Sequence, residues 1–378
     1  MVNKKRLIEL TRKLIKIKSE NPPGDEYCIA GFVKEYLEDL GVDARIYEFK
    51  KRRSNVVATL EGKDKSHALL ITPHLDTVPA GKNWKTDPFA GVIKRGRIYG
   101  LGATDCKGNL ACALEAINSI IEDKITLGYN LVFAATADEE SGSALGLIPL
   151  LDKGILKPDA ALVLDAENFE IIFTQKGLIH LKVKIEGKRA HGAYPQEGIN
   201  AIYIAIDIIK AIKAHKFHFK KNRYLKPPTI NIGTIKGGDK VNVVADWCEF
   251  ELDLRFLPGM PAAGLLKELK SIIKRYTKKC LIEVEGIQNP YFINREHPLV
   301  AYLKESMHKI KVRPVLKGSE GATVITFFQE KKIPAVASGF GSIGCAHVAD
   351  EYAKVGDLYK GACVLAEFLK QYQFNSIT

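Results

Sequence analysis

The sequence predicts an α/β protein, a mostly parallel sheet with helices on both faces, interrupted by an inserted α+β domain. Three observations carry this prediction. Apolar runs at residues 68–71, 129–137 and 160–164 read as buried strands, the pattern of a sheet covered on both sides. These runs alternate with helical periodicities, which implies parallel pairing. Over residues 177–287 the pattern changes to alternating, half-exposed strands, and from His297 the first pattern returns. The chain therefore divides into 1–176 with 288–378, and an inserted domain at 177–287.

In order, Leu7, Leu10, Leu14 and Ile15 recur at helical spacing, so an amphipathic helix opens the chain. Asn21-Pro22-Pro23-Gly24 ends it. A second helix is expected through 29–40, stopping at Gly41. Residues 42–49 and 55–60 alternate as strands, followed by the apolar strand that ends at His74. Residues 93–101 read as one strand. Its glycine-rich exit, Gly100-Leu101-Gly102-Ala103-Thr104-Asp105-Cys106-Lys107-Gly108, leads into a helix through Ala111, Leu114, Ile117 and Ile121. In the inserted domain, 178–185 alternates, a helix runs through 199–212, and 230–235 and 241–256 read as strands around Gly237-Gly238. A helix at 262–276 and a strand at 281–285 complete it. The remainder gives a helix, Gly318-Ser319-Glu320-Gly321, a helix, a strand at 335–337, a loop at 339–350 containing His347, and a last helix through 358–369.

Composition narrows the function classes. With 378 residues the chain is long enough for two or three domains. No apolar run reaches the roughly 18 residues of a membrane span, and the N-terminus lacks the apolar core of a signal peptide. A cytoplasmic protein without a membrane partner is expected. Lys and Arg number 56 against 44 Asp and Glu, a net charge of +12. Nucleic acid is the partner such a charge raises. However, the basic clusters Lys50-Lys51-Arg52-Arg53 and Lys220-Lys221-Asn222-Arg223 are short and far apart. A lysine-rich solvated surface is the preferred reading, with a nucleic-acid-binding protein as the competing class. The seven cysteines are scattered, with no Cys-x-x-Cys pair, so reduced, packed thiols are expected. Cys106 and Cys345 stand near candidate ligands, which leaves a thiol nucleophile as an alternative there. His67, His180, His215, His218, His297 and His308 read as surface or locally bonded residues.

The chemistry gathers where apolar strands stop. His74 and Asp76 follow the strand at 68–71, Asp138-Glu139-Glu140 follows that at 129–137, and Asp165 follows that at 160–164. Asp105 follows the reading of a strand at 93–101. The strand ends of a parallel sheet emerge on one edge, where open α/β sheets hold ligands. Buried carboxylates are costly unless something positive neutralises them, so one histidine and several acids converging there read as a metal site. Each motif alone has a plainer explanation: His74 as a surface histidine beside a turn, Asp105 as a helix N-cap.

Taken together, His74-Leu-Asp76-Thr-Val-Pro-Ala-Gly81, Gly102-Ala-Thr-Asp105-Cys-Lys-Gly108, Asp138-Glu139-Glu140-Ser-Gly142 and Ala346-His347 resemble the signature of the dinuclear zinc amidohydrolases. That family includes aminoacylases, glutamate carboxypeptidases, acetylornithine deacetylase and succinyl-diaminopimelate desuccinylase. The resemblance extends from Ser19-Glu-Asn-Pro-Pro-Gly24 to the final helix. It implies two divalent ions, zinc with cobalt or manganese as alternatives. His74 and Asp165 would bind one, Glu140 and His347 the other, and Asp105 would bridge them. Glu139 becomes the general base, and Asp76 orients His74. Many relatives have Glu where this chain has Asp165, which leaves Glu167 as a competitor for that role. The resemblance also implies a cis peptide after Asp105, which gives Cys106 a backbone role.

Gly187-Lys-Arg-Ala-His191-Gly-Ala-Tyr-Pro-Gln-Glu-Gly198 resembles the family's lid motif, whose histidine reaches the active site of a partner subunit. This implies a homodimer and makes the inserted domain a lid and dimerisation domain. Gly237-Gly238-Asp-Lys-Val-Asn242-Val-Val and Leu254-Arg255 resemble segments that hold a substrate carboxylate. Arg255 suits a bidentate contact, a strand-surface salt bridge being the plainer alternative. Gly318-Ser-Glu320-Gly-Ala resembles the acetylornithine deacetylase type and offers Glu320 to a substrate amine. The expected reaction is hydrolysis of the amide of a small N-acyl amino acid, of the acetylornithine or succinyl-diaminopimelate kind. A dipeptidase or carboxypeptidase with the same metals is the runner-up.

Overall fold

The computed structural model describes residues 1–321 and 323–374. The chain separates into two units. The first comprises Met1–Phe173, Ile293–Lys317 and the chain from Thr323 onward, and the second Thr174–Phe292 with a short piece beginning at Gly318.

The first unit is built on a mixed sheet whose strands run in the order Ala44–Glu48, Ser54–Leu60, Tyr129–Ala135, Asp64–Thr72, Ala160–Val163, Ala335–Ser338, Glu170–Gln175. The four strands from Tyr129–Ala135 to Ala335–Ser338 are mutually parallel, and the flanking pairs are antiparallel. The central runs Leu69–Thr72, Ala160–Val163 and Ala335–Ser338 are wholly buried. They show the continuous apolar pattern of strands with no solvent face. Their register is level: Thr72 and Ala337 both pair with Val163, so the exits after these strands leave the sheet together.

Helix Lys4–Lys16 starts where the Asn3 side chain accepts the N–H groups of Lys5 and Arg6. It buries Leu7, Leu10, Leu14 and Ile15, as its spacing predicts. Helix Lys107–Glu122 is buried along nearly its whole length. It packs against Val355–Gln371 and Lys4–Lys16.

Two expectations are corrected. Residues 93–101 are not one strand but a hairpin of Val92–Lys94 and Arg97–Tyr99, joined by Arg95 and Gly96, both at positive φ. A two-residue turn of that kind reverses the chain. The hairpin pairs with Tyr352–Lys354 rather than with the main sheet. Asp105 therefore does not leave a strand of the parallel set. The fourth parallel strand is Ala335–Ser338, whose exit leads to His347. The strand Glu170–Gln175, wholly buried, is an element the sequence reading passed over.

The second unit is a four-stranded antiparallel sheet in the order Thr229–Gly237, Trp247–Phe256, Gly177–Glu186, Cys280–Gln288. Burial alternates along Gly177–Glu186 and Trp247–Phe256. One face thus packs Ile179, Leu181, Val183, Phe250 and Leu252 against helices Ala201–Ala214 and Ala262–Lys274. Among the described residues no helix is long and apolar enough to cross a membrane, and all seven cysteines are free.

Candidate metal centre

In the first unit the exits of the four parallel strands bring His74, Glu140, Asp165 and His347 together around Asp105, which comes from the segment after the hairpin. After Asp64–Thr72 the chain stays paired with its neighbour, as Leu75 N–H donates to the Thr136 carbonyl at 2.8 Å. His74 is thereby fixed, 2% exposed. Its Nε2 lies 2.9 Å from Asp105 Oδ1, and its Nδ1 lies 3.0 Å from the Asp76 carbonyl oxygen. His347 Nε2 is 3.2 Å from both Asp105 Oδ2 and Glu140 Oε2. The ligating atoms of His74, Asp105 and Asp165 lie within 4.8 Å of one another, and so do those of Asp105, Glu140 and His347. Asp105 is common to both triads. It is not the N-cap of helix Lys107–Glu122, a position held by Cys106 without a side-chain bond. The Asp105–Cys106 peptide is cis, and the Cys106 thiol is a packed partner of the His74 main chain.

One observation fits a cation in the second triad, and another fits one in each. Glu140 Oε1 is buried and has no hydrogen-bond partner among the described residues, an arrangement that is costly without a positive charge. The donor set, imidazole and carboxylate with one carboxylate shared, is that of paired divalent sites. The electrostatics agree. Burial, and then the charge of Asp105, push Asp165 up to about 7. Burial, then Asp165 and Asp105, raise Glu139 well above the usual carboxylate range. Hydrogen bonds from His347 and His74 outweigh burial at Asp105 and hold it low, while Asp105 and Glu140 raise His347 to about 10. A bound cation would draw both acids back toward ionisation.

Glu139 and Glu140 stand on a short 3₁₀ turn, Glu139–Ser141. Asp76 holds that turn: its Oδ1 accepts the Glu139 N–H and its Oδ2 the Glu140 N–H, both at 3.1 Å. Asn21 Nδ2 donates to the same Oδ2 at 2.9 Å. The nearest Asp76 carboxylate oxygen is 3.4 Å from His74 Nδ1, so the carboxylate works on the turn more directly than on the imidazole. Below the turn, Asp138 adopts φ 65° and receives Arg53 Nη2 at 2.7 Å. Arg53 in turn forks onto Glu26 at 2.7 and 2.9 Å. All three are buried. Arg53, which reads as part of a surface basic cluster, is therefore an internal ion-pair partner.

The loop carrying His347 is tied down from several sides. Gly339 passes so close that a Cβ there would lie 1.8 Å from the Ala166 carbonyl oxygen. Glu167 Oε2 accepts the Gly344 N–H at 3.0 Å. Glu167 is thus committed to the loop and stands in neither triad, and Asp165 is the acid that joins His74. Glu351 is 1% exposed and accepts the N–H groups of Gly102, Thr104 and Asp105. Burial outweighs these bonds and raises it to about 7.

The remaining candidates lie in the second unit. His191 is exposed and bridges to Val243, with Gly192 N–H donating to the Asn242 carbonyl at 2.8 Å, so the two motif segments are neighbours. Arg255 forks onto Asp253 at 2.7 and 2.8 Å, the salt bridge that was its plainer alternative. Glu320 is likewise paired within its own unit. Its Oε2 pairs with Lys176 Nζ at 2.7 Å, and its Oε1 accepts the Lys226 N–H at 2.8 Å. Lys176 is 1% exposed, and a buried ammonium requires such a counter-charge. Glu320 therefore serves Lys176 before any substrate amine.

Residues 70–371 match the family described as peptidase family M20/M25/M40. The acetylornithine deacetylase of Proteus mirabilis is 30% identical over 366 residues, covering 91% of each chain. The solved structure of a tripeptidase from Staphylococcus aureus superposes with a TM-score of 0.82 at 27% identity, covering 98% of each chain. A dinuclear metal binding peptidase of the M20 family from Bacillus subtilis shares the fold with a TM-score of 0.74 at 17% identity, covering 98% of this chain and 99% of that one.

Proposed function

The chain belongs to the M20/M25/M40 peptidase family, hydrolases of amide bonds, and we propose that its reaction is metal-dependent deacylation of a small N-acyl amino acid. The observation that carries this reading is the pair of donor triads sharing Asp105. In this reading His74 and Asp165 would hold one divalent ion and Glu140 and His347 the other, with Asp105 shared between them. Zinc suits imidazole with carboxylate, and cobalt or manganese can occupy the same donors. When bound, the two ions polarise the scissile carbonyl and make water acidic near neutral pH.

The protein groups do the rest. Glu139 accepts the water proton and hands it to the leaving amine, a task that requires the cations to draw its carboxyl back toward ionisation. Asp76 holds the turn so that Glu139 and Glu140 keep separate roles. Asn242 and Arg255 receive the substrate carboxylate, with Arg255 exchanging Asp253 for it. His191 acts on the developing oxyanion from a second copy of the chain, the second unit serving as lid and dimerisation domain. Free cysteines agree with a reducing compartment, and the cytoplasm is the proposed setting.

Similarity to a tripeptidase structure favours a second reading, a dipeptidase, tripeptidase or carboxypeptidase with the same site. One panel separates them: N-acetyl and N-succinyl amino acids, dipeptides and tripeptides, assayed with added zinc, cobalt or manganese and with a chelator. Turnover of the acyl amino acids above the peptides supports the first reading, and the reverse order supports the second. Chelator-resistant hydrolysis would refute both.

A further inference from the structure

We propose that Glu351 is a positioning residue that aims Asp105 between the two cation positions. The inference rests on the dinuclear reading of the site and adds a residue that reading does not contain. His74, Glu140 and Asp165 follow strands of the parallel sheet, whose ladders fix their exits. Asp105 has no such support, since residues 100–106 form no helix or strand. Of its side-chain ties, Glu351 alone holds three of the segment's N–H groups, including that of Asp105. Its Oε1 accepts the N–H of Thr104 at 2.8 Å and of Asp105 at 3.0 Å, and its Oε2 accepts the N–H of Gly102 at 2.9 Å. Its carbonyl accepts the Gly100 N–H at 2.9 Å, and the next carbonyl, of Tyr352, accepts Thr104 Oγ1 at 2.8 Å.

The chemistry of the residue matters. Three converging N–H donors call for a group with two oxygens and no hydrogens. Glutamine would turn a donor toward one of them, and aspartate is one methylene short. A bridging carboxylate must present both oxygens at once, and Asp105 directs Oδ1 to His74 and Oδ2 to His347. A small rotation of its peptide sacrifices one of the two directions. Glu351 also lies four positions after His347, so one short segment bears a donor of the second triad and the anchor of the shared donor.

The test is metal titration of the full-length wild type, Glu351→Gln and Glu351→Ala with zinc and with cobalt(II). Ions per chain are measured by elemental analysis, affinities by calorimetry, and the paired centre by the visible and magnetic spectra of cobalt(II). In Glu351→Gln the first ion should bind within about threefold of wild type. The second should weaken by about 10–100-fold, the usual effect of losing a partner behind a ligand, and the spectral coupling of the two cobalt ions should fall. A purely structural role predicts a lower melting temperature with both affinities unchanged, which would overturn the proposal. Where the Glu351 variants do not fold, Thr104→Val removes the hydroxyl's bonds to the Tyr352 carbonyl and from the Ser342 N–H, and Ser342→Pro removes the second of these alone; Thr104→Val should weaken the second ion at least twofold more than Ser342→Pro does, and equal effects would overturn the proposal. A wild type that never binds more than one ion refutes the dinuclear reading itself. A wild type with two ions and an unaffected Glu351→Gln refutes only this inference.

Discussion

Replacing Asp76 by asparagine tests what holds the turn that carries Glu139 and Glu140. The carboxylate accepts one N–H of that turn on each oxygen, both at 3.1 Å. Asparagine keeps the shape but has one oxygen, so one N–H loses its acceptor and faces an amide NH₂. A hydrogen bond to a charged acceptor contributes about 1.5–3 kcal/mol. That corresponds to a loss of about 10- to 150-fold in an equilibrium constant if the turn's displacement is felt entirely at one ion. The ion affected should be the one held by Glu140 and His347. The other should change little, because His74 Nδ1 is bonded to the Asp76 main chain at 3.0 Å, which the substitution leaves in place. Calorimetric zinc titration of wild type, Asp76→Asn, His347→Ala and the double variant forms a cycle. With the second ion already removed by His347→Ala, adding Asp76→Asn should alter the remaining affinity by less than about threefold. A loss of tenfold or more in that background would mean that Asp76 acts through His74, and the reasoning from the turn would be wrong.

Glu139→Gln should retain two ions and lose activity by about 10²–10⁴-fold, whereas Glu140→Gln should lose metal first; elemental analysis alongside kcat separates the two roles. Metal-free protein should become less stable as pH rises. Asp165 moves from its unfolded value of about 3.9 up to about 7, and His347 from about 6.5 up to about 10. Each therefore binds more protons folded than unfolded across its interval, and its contribution is lost as pH rises through the folded value. Melting curves of chelated protein from pH 5 to pH 9 should show this fall, and zinc should reduce it, leaving the share of Glu351, which burial raises without its being a ligand; a flat profile without metal contradicts the charge balance described. Mixing inactive His191→Ala with inactive Glu139→Ala should restore part of the activity once subunits exchange. No recovery despite demonstrated exchange would place His191 outside the partner's site.

The parallel strands were legible because nothing but a two-sided burial explains runs such as Leu69-Leu70-Ile71 or Ala160-Ala161-Leu162-Val163. The acids at their ends were legible because unpaired carboxylates there are costly. The hairpin was missed because its turn places Arg95, rather than Asn or Asp, at positive φ. Ile171-Ile172-Phe173 was a visible apolar run, overlooked so close behind Asp165. The salt bridge of Arg255 was within reach, since Asp253 and Arg255 share one face of a strand. Glu351, Asn21 and Glu26 were not legible. Each acts on residues 55 to 249 positions away, and an acid in Asp350-Glu351-Tyr352 looks like any surface acid until the fold buries it.

The ion-pair chain of Glu26, Arg53 and Asp138 constrains how this sequence can drift. Neutralising Arg53 leaves two buried carboxylates uncompensated, a defect of about 3–5 kcal/mol, comparable with much of a domain's stability, and neutralising either acid leaves buried guanidinium N–H groups without the acceptors they now have. Exchanging the whole set for apolar residues of similar volume is often neutral for stability. Here, however, Asp138 also supports the turn that presents Glu139 and Glu140. The three positions therefore lie in a mutational valley: single steps are lost to selection, and concerted changes must also rebuild the turn. Descendants of this chain should inherit Glu26, Arg53 and Asp138 as one block, although they are scattered across more than a hundred residues of sequence.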